Sequence, residues 1–303
     1  MPTIVLLAPN GQLGFELQRS LAVLGPVRSL SRADVDFTEL PALQQKIAAL
    51  QPAIIVNAAA YTAVDQAETE SAAAFALNAA LPEMLAQLAT STGAWLVHYS
   101  SDYVYPGHGE RPWLETDPTG PLSVYGQSKL AGDQAIQAQC ERHLIFRTSW
   151  VYAARGQNFM RTMLRLAQQH ATLRVVSDQF GAPTPARCIA SVTALALQQV
   201  MHGDKQGAGL YHVATQGVTN WHAFANEIFQ LARQHQVSLA LAAGQCHAIR
   251  SAEYATAAQR PANSRLNLSK IEQQFQLQLP DWQSQLALTL QEWLSLQPSA
   301  STQ

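Results

Sequence analysis

The 303-residue chain has few cysteines and no metal-binding spacing. Its three cysteines, Cys140, Cys188 and Cys246, lie far apart, which fits neither a disulfide framework nor a zinc site. The nine histidines also lack metal-ligand spacing. We therefore expect reduced thiols, a cytoplasmic location and no bound metal.

Charge is equally scarce. Charged residues make up 13% of the chain and the formal net charge is −2, so there is no basic field for nucleic acid and no polybasic run for a membrane. The first apolar run, residues 4–8, is too short for a signal peptide or a membrane span. Hydrophobic residues reach 48%, which is typical of a compact globular protein. We expect no nucleic-acid partner and no membrane partner.

Apolar runs alternate with amphipathic stretches through the first 150 residues. Short, continuously apolar strands that alternate with helices predict a parallel sheet covered on both faces. We therefore predict an α/β fold, a Rossmann-type doubly wound parallel sheet with a smaller C-terminal α/β lobe that binds substrate. The predicted strands are 4–7, 27–30, 53–56, 94–99 and 144–147, and the predicted helices are 11–24, 40–50, 72–90 and 124–138.

The pattern loosens after Trp150. We assign residues 1–150 to a dinucleotide-binding core and expect residues 186–235 to pack back onto it. Residues 151–185 and 236–303 are assigned to the substrate-binding lobe.

The pair Tyr125 and Lys129 carries the first chemical signal. Residues four apart on a helix share a face, so the phenol and the ammonium are expected side by side, where the cation lowers the pKa of the phenol. Ser100 and Ser101 end an apolar strand, and a hydroxyl there can bond the same carbonyl. This set predicts a carbonyl reductase, although the spacing alone is common on exposed helix faces.

A turn suited to a dinucleotide follows the first strand. Glycine in such a turn lets backbone N–H groups approach a pyrophosphate at the helix N-terminus. Ala8 replaces the first glycine of a G-x-x-G-x-x-G pattern. The residues expected to contact the pyrophosphate are Asn10, Gly11, Gln12, Leu13 and Gly14.

Residues at the ends of the second and third predicted strands determine which cofactor fits. Arg32 stands where NAD-binding proteins have an acidic residue, which favours the 2′-phosphate of NADPH while leaving NADH possible. Asp36 and Phe37 are expected near the adenine. Residues after the third strand, Ala58, Ala59, Ala60 and Tyr61, and Asn78 in the next helix are expected against the cofactor.

Three further polar residues are interpreted as structural. Asp65 and Glu68 are assigned to charges at a helix start, where the helix dipole favours them. His98 lies within a buried strand and is interpreted as a core histidine with satisfied hydrogen bonds, not a metal ligand.

In their order along the chain, these motifs resemble the extended short-chain dehydrogenase/reductase group and, within it, the dTDP-4-dehydrorhamnose reductase family. The resemblance covers nearly the whole length. The segments that carry it are 10–14, 55–65, 98–105, 125–132, 147–152, 178–184 and 260–266.

The resemblance implies an activity, the last step of dTDP-L-rhamnose synthesis. The 4-keto group of dTDP-6-deoxy-L-lyxo-4-hexulose is reduced with NAD(P)H. By the same resemblance Tyr125 donates the proton to O4, Lys129 lowers the pKa of Tyr125 and holds the nicotinamide ribose, and Ser101, often threonine in the family, orients the keto oxygen. The implied contacts to the dTDP-sugar are Tyr103, Val104, Trp150 and Arg260, the last at the diphosphate.

The family also implies a homodimer, bridged in some members by magnesium on glutamates. Glu16 and Glu292 match two of those positions, but Arg187 stands at a third. A cation beside an arginine is unfavourable, so we expect Arg187 to pair with the glutamates and no magnesium to bind.

Two other functions remain open on the residues. A ketoreductase for another 4-keto-6-deoxy sugar nucleotide would need the same catalytic set, because the sequence does not define the stereochemistry at C4. A non-catalytic NADP-binding regulatory subunit would share the fold, but such proteins tend to lose parts of the set that Ser101, Tyr125, Lys129 and Arg260 complete here.

Overall fold

The computed structural model describes residues 1–201, 203 and 207–297, so the end of the predicted lobe, 298–303, lies outside the described residues. The elements of the first half are β1 (Ile4–Leu7), α1 (Gln12–Leu21), β2 (Val27–Leu30), α2 (Leu40–Ala49), β3 (Ile54–Asn57), α3 (Ser71–Phe75), α4 (Leu81–Thr92), β4 (Trp95–Ser101), α5 (Val124–Gln139) and β5 (His143–Thr148). Those of the second half are β6 (Val151–Tyr152), α6 (Phe159–Gln169), β7 (Leu173–Val176), β8 (Phe180–Gly181), β9 (Thr184–Pro185), α7 (Ala186–Met201), β10 (Gly209–His212), β11 (Thr219–Asn220), α8 (Trp221–Gln234), β12 (Cys246–Ile249), α9 (Ser269–Phe275) and α10 (Trp282–Ser295).

Six strands form the central sheet, in the order β2-β1-β3-β4-β5-β10. All five pairings are parallel, and β1, β3 and β4 are buried along their whole length. This confirms the predicted α/β class. The strand order reverses between β1 and β3, and ligands of open α/β sheets bind at the carboxyl ends of strands beside such a switch point.

Helices cover both faces of the sheet. On one face, α1 and α7 contribute apolar side chains such as Leu17 and Ile189 to a core with β1, β3 and β4. On the other, α2, α4 and α5 supply Leu43, Leu85 and Ile136. Each strand therefore alternates its apolar side chains between two cores, which is why the strands appear as continuous apolar runs.

A third core belongs to the lobe and corrects the predicted boundaries. α8 was expected to return to the sheet, but it packs with α6 and α10 through residues such as Phe224 and Ile228. Conversely, α9, which was assigned to the lobe, joins the sheet core through Ile271 and Phe275. An apolar stripe shows that a helix is buried on one side, not which core it enters.

The continuous helical segment Ser71–Thr92 has the length and apolarity of a membrane span, with a mean hydropathy of 1.2. Half of that window is buried, and α4 supplies the inward-facing Leu81, Leu85 and Leu88 to the core beside the sheet. It is a core helix by its packing. A π-helical turn, Ala76–Ala80, separates α3 from α4.

Candidate active site

The first turn of α5 carries Tyr125 and is fixed from two sides. The Ser123 hydroxyl caps the helix by accepting from the Gly126 N–H at 3.2 Å. The Glu68 carboxylate accepts from the Val124 N–H at 2.9 Å. The sequence indicated a helix-start charge at Glu68, but the helix it caps is α5, more than fifty residues later, which no local pattern shows.

Gly126 lets α5 approach the end of β4 closely. A Cβ at this position would lie 2.3 Å from the Tyr103 carbonyl oxygen. This approach places the rings of Tyr103 and Tyr125 edge to face, with centroids 5.5 Å apart.

Ser101 and Tyr125 form the centre of the site. The Ser101 hydroxyl accepts from the Tyr103 N–H at 3.2 Å, donates to the Asp102 carboxylate at 3.2 Å and lies beside the Tyr125 phenol. Burial raises the pKa of Tyr125 above its usual value, and the Ser101 contact opposes that shift. Tyr125 is therefore a protonated phenol near neutral pH, able to donate to an oxygen that Ser101 also reaches.

Lys129 lies deeper than predicted. Its Nζ donates to the Tyr99 carbonyl oxygen at 2.6 Å and lies 3.2 Å from His98 Nε2, and the residue is only 1% exposed. Burial lowers the pKa of Lys129 from 10.5 to about 8, opposed by Asp133. Within the described ranges no hydrogen bond joins Lys129 to Tyr125. Burial is the largest influence on the pKa of Tyr125, and the Tyr99 carbonyl holds the Lys129 amine, so a lowering of the Tyr125 pKa by Lys129 stays a prediction.

The turn after β1 fits a diphosphate. α1 begins at Gln12 with Gly11 as its N-cap, has no side-chain hydrogen bond at that cap and carries no acidic residue in its first turn, so its leading N–H groups suit an anion. Asn10 and Gly11 are exposed, and Leu13 is partly buried. A Cβ on Gly14 would lie 2.0 Å from the Ala8 carbonyl oxygen, so the tight turn requires glycine there.

The residues after β3 face the same turn, because Leu7 and Asn57 are register partners at the strand ends. Ala58, Ala60 and Tyr61 are partly exposed and Ala59 is buried. Their small side chains leave backbone accessible at the switch point.

Asn78 is fully buried, and its amide accepts from the Tyr61 N–H at 2.9 Å and donates to the Tyr61 carbonyl oxygen and to Ser128 Oγ, both at 3.0 Å. It therefore holds the loop after β3 in place, and its own side chain is taken up by these bonds.

The three residues after β2 that were predicted to contact the cofactor differ in their exposure. Arg32 is exposed, with no hydrogen-bond partner among the described residues. Asp36 is exposed, and the backbone and hydroxyl of Thr38 hold the pKa of its carboxyl below the usual value. Phe37 is 2% exposed and packs in the core with Val5 and Leu43, so only its backbone is free to lie near the adenine, which stays a prediction.

The residues predicted to contact the substrate also differ in their burial. Val104 is fully buried with Tyr105 and Trp113, so its side chain cannot touch a substrate. Trp150 sits just after β5 with a φ of +50° and stacks on Trp221 at 3.7 Å between ring centroids, so Trp221 covers one face of its ring. No local signal identified Trp221 as its partner.

Arg260 lies on the segment that leads from the lobe, at the opposite side of the site from the end of β5, which Trp150 follows. Its Nη2 donates to Asp65 Oδ2 at 2.6 Å, and the guanidinium hydrogen-bonds the Tyr103 phenol. Burial raises the pKa of that phenol to about 12. Arg260 is thus held beside Tyr103 by Asp65, whose function the sequence did not reveal.

The predicted ion pairs of Arg187 are confirmed. Its Nε lies 3.0 Å from Glu16 Oε2, and its Nη2 lies 2.9 Å from Glu292 Oε1. In the described part of the chain, no three His, Cys, Asp or Glu side chains form a group that could hold a metal ion.

A doubly wound parallel sheet, a glycine turn at its switch point and a Ser–Tyr–Lys set beyond β4 define an extended short-chain dehydrogenase/reductase. The family described as RmlD substrate binding domain matches residues 2–295. The dTDP-4-dehydrorhamnose reductase of Shigella flexneri is 49% identical over 284 residues, covering 92% of this chain and 94% of that protein. The chain therefore belongs to the dTDP-4-dehydrorhamnose reductase family, as its motifs predicted.

Two solved structures agree with the fold. The dTDP-4-dehydrorhamnose reductase from Clostridium acetobutylicum superposes with a TM-score of 0.88 at 32% identity, covering 96% of this chain and 99% of that one. The reductase from Bacillus anthracis, in complex with NADP, gives a TM-score of 0.86 at 31% identity and the same coverage.

Proposed function

We propose that this chain reduces the 4-keto group of dTDP-4-dehydro-L-rhamnose (dTDP-6-deoxy-L-lyxo-4-hexulose) to dTDP-L-rhamnose, with NADPH as the hydride donor. It is an NADPH-dependent oxidoreductase of its family, and the Bacillus anthracis relative is known in complex with NADP. The observation that carries the proposal is the placement of the Ser101 hydroxyl beside the Tyr125 phenol at the carboxyl end of β4, next to the buried Lys129.

Each member of this set has a defined task. NADPH, when bound, supplies a hydride from the nicotinamide C4. Tyr125, kept protonated by burial, donates its proton to O4 as negative charge develops there. Ser101 donates to the same oxygen and orients it. Lys129, anchored at the Tyr99 carbonyl, lies one helical turn behind Tyr125 and holds the nicotinamide ribose.

Cofactor contacts follow from the switch point. The N-terminus of α1, residues 10–14, receives the pyrophosphate, and the loop 58–61 lies along the cofactor. Arg32 reaches the 2′-phosphate, with Asp36 on the same exposed segment. NADH can bind the same surface without that contact.

The opposite side of the site holds the dTDP-sugar. Arg260 meets the diphosphate with a planar guanidinium that suits two phosphate oxygens. Trp150 offers a ring face to the sugar, and Tyr103 lies between Tyr125 and Arg260. A homodimer and a cytoplasmic location stay predictions from the resemblance and the composition.

The test is NADPH oxidation with dTDP-4-dehydro-L-rhamnose generated from dTDP-glucose, followed by identification of the product sugar. Tyr125→Phe removes only the acid, so turnover should fall at least about a hundredfold while NADPH still binds. The matched control is Tyr254→Phe, because Tyr254 is 59% exposed and has no assigned role in this site. Near-normal turnover by Tyr125→Phe would refute the proton donor, and a different product would assign another 4-keto-6-deoxy sugar nucleotide.

A further inference from the structure

We propose that His98 is a positioning residue for Lys129: Asn57 holds its ring as the Nε2–H tautomer, and that N–H donates to the Lys129 nitrogen and favours its uncharged amine. The proposal deepens the proposed function, because Lys129 belongs to the catalytic set. The tautomer itself is a property of three buried side chains and can be measured without any substrate.

The first step is the orientation of the Asn57 amide at the end of β3. Its Oδ1 accepts from the Ala59 N–H at 3.1 Å. A carboxamide has one acceptor end and one donor end, so this bond places Nδ2 on the other side. There Nδ2 lies 3.2 Å from His98 Nδ1.

The second step is the ring of His98. Since Asn57 Nδ2 can only donate, His98 Nδ1 must accept and carry no hydrogen. His98 is fully buried, and burial together with Lys129 keeps its pKa well below 6.5. The ring is therefore neutral, and its single hydrogen is on Nε2.

The third step concerns Lys129. Its Nζ lies 3.2 Å from His98 Nε2, where an N–H and an ammonium would be two donors facing each other. An uncharged amine resolves the conflict, because its lone pair accepts from Nε2–H while its own N–H donates to the Tyr99 carbonyl. When Lys129 takes up a proton, the added N–H cannot point at the Nε2–H of His98, because both groups are donors, and it must point elsewhere.

Other charged groups near Lys129 do not compensate. Asp133, one turn further along α5, forms an ion pair with Arg147 at 2.9 Å. The guanidinium partly neutralises its carboxylate and so weakens its attraction for the Lys129 ammonium. On the Tyr125 side, Asp102 lies beyond Ser101, and Tyr125 itself is protonated. The only side-chain hydrogen bond described at Lys129 Nζ is the one with His98, within residues 1–201, 203 and 207–297.

The first experiment is NMR of the whole chain labelled with ¹⁵N-histidine, with no nucleotide added. We expect His98 as the Nε2–H tautomer, with an unprotonated Nδ1, across neutral pH. A His98 resonance with its hydrogen on Nδ1, or a ring protonated on both nitrogens at neutral pH, would overturn the proposal whether or not the protein reduces any sugar.

The second experiment measures the ionisation of Lys129 through its side-chain carbon and nitrogen resonances. The chain has only four lysines, Lys46, Lys129, Lys205 and Lys270, so assignment by substitution is direct. In His98→Gln the amide can turn its oxygen to the ammonium. We expect the pKa of Lys129 to rise by at least about one unit, a tenfold change in ionisation.

The control is His247→Gln, the same change at an exposed position on β12, which should leave the pKa of Lys129 unchanged. An unmoved Lys129 pKa in His98→Gln would refute the positioning role. A shifted Lys129 pKa without turnover in any variant would refute the proposed reaction instead.

Discussion

The guanidinium of Arg260 and the carboxylate of Asp65 form an ion pair 2.6 Å long that ties the loop after β3 to the segment leading from the lobe. Asp65 Oδ1 also accepts from the Ala258 N–H at 3.1 Å, so one side chain fixes both the position and the direction of that segment. The pair brings the predicted diphosphate contact to within a hydrogen bond of the Tyr103 phenol. Asp65, in the loop after β3 on the predicted cofactor side, therefore holds the substrate side of the site in place.

We expect Arg260→Ala to raise the KM for the dTDP-sugar by about 10- to 100-fold, because a hydrogen bond to a charged group contributes about 1.5–3 kcal/mol. The change in kcat should be much smaller, since Arg260 lies away from the reacting carbonyl. Steady-state kinetics with varied sugar nucleotide measures both. Arg174→Ala is the matched control, because Arg174 pairs with Glu253 at the surface of the lobe. Equal KM values in the two variants would remove Arg260 from the substrate site.

The sequence predicted where two segments of the site lie, but not the long-range contacts of Asp65 and Glu68. The turn 10–14 and the loop 58–61 each follow a buried strand, and parallel strands bring their carboxyl ends to one edge. That argument needs only the order of elements. Asp65 and Glu68 act on residues far along the chain, Ala258 and Val124, and no local pattern carries such a pairing.

Burial by tertiary packing is what the sequence did not show. Phe37, Asn78 and Val104 were predicted to contact a ligand from the motifs and the resemblance. In the structure each side chain is buried, that of Asn78 within the π-helical turn between α3 and α4. The exchange of α8 and α9 between cores has the same origin, since an apolar stripe does not identify its partner.

Arg32 provides a test of cofactor choice. We expect Arg32→Ala to reduce the preference for NADPH over NADH by about tenfold, since losing a phosphate contact of about 1.4 kcal/mol changes affinity tenfold. The ratio of kcat/KM values for the two cofactors measures it. Arg28→Ala, an exposed arginine on β2 itself, should leave the ratio unchanged. An unaltered ratio in Arg32→Ala would mean that another residue recognises the 2′-phosphate.

Ala8 provides a test of backbone strain in the turn after β1. Its φ is +59°, a left-handed conformation that costs a side-chain-bearing residue about 1–2 kcal/mol, while glycine adds about 0.4–1 kcal/mol of unfolded-state entropy. We therefore expect Ala8→Gly to raise the free energy of unfolding by about 0.5–1 kcal/mol, measured by urea denaturation.

The control for that measurement is Ala22→Gly. Ala22 ends α1 with a right-handed φ of −60°, so glycine there gives no relief and should destabilise the protein by about 0.5–1 kcal/mol. If both variants lose stability equally, the turn after β1 stores no strain at Ala8.

Asp102 makes stability depend on pH in the direction opposite to an ion-paired carboxylate. It is 2% exposed, and burial raises its pKa from 3.8 to about 6, with the Ser264 and Ser101 hydroxyls opposing. The folded protein thus holds this proton more tightly than the unfolded chain. The contribution of Asp102 to the free energy of unfolding is greatest below about pH 4, falls as the pH rises towards 6 and is constant above that.

Asp102→Asn cannot ionise, so the pH-dependent loss should disappear. A shift of about two pKa units corresponds to about 3 kcal/mol. We therefore expect the unfolding free energy of Asp102→Asn, relative to the unaltered protein, to grow by about 2–3 kcal/mol between about pH 4 and pH 7. Because the comparison is a difference, the titration of His98 and His212 cancels. Asp36→Asn, at an exposed carboxyl with a lowered pKa, should show no such growth, and a flat difference for Asp102→Asn would mean that Asp102 ionises in the folded protein as easily as in water.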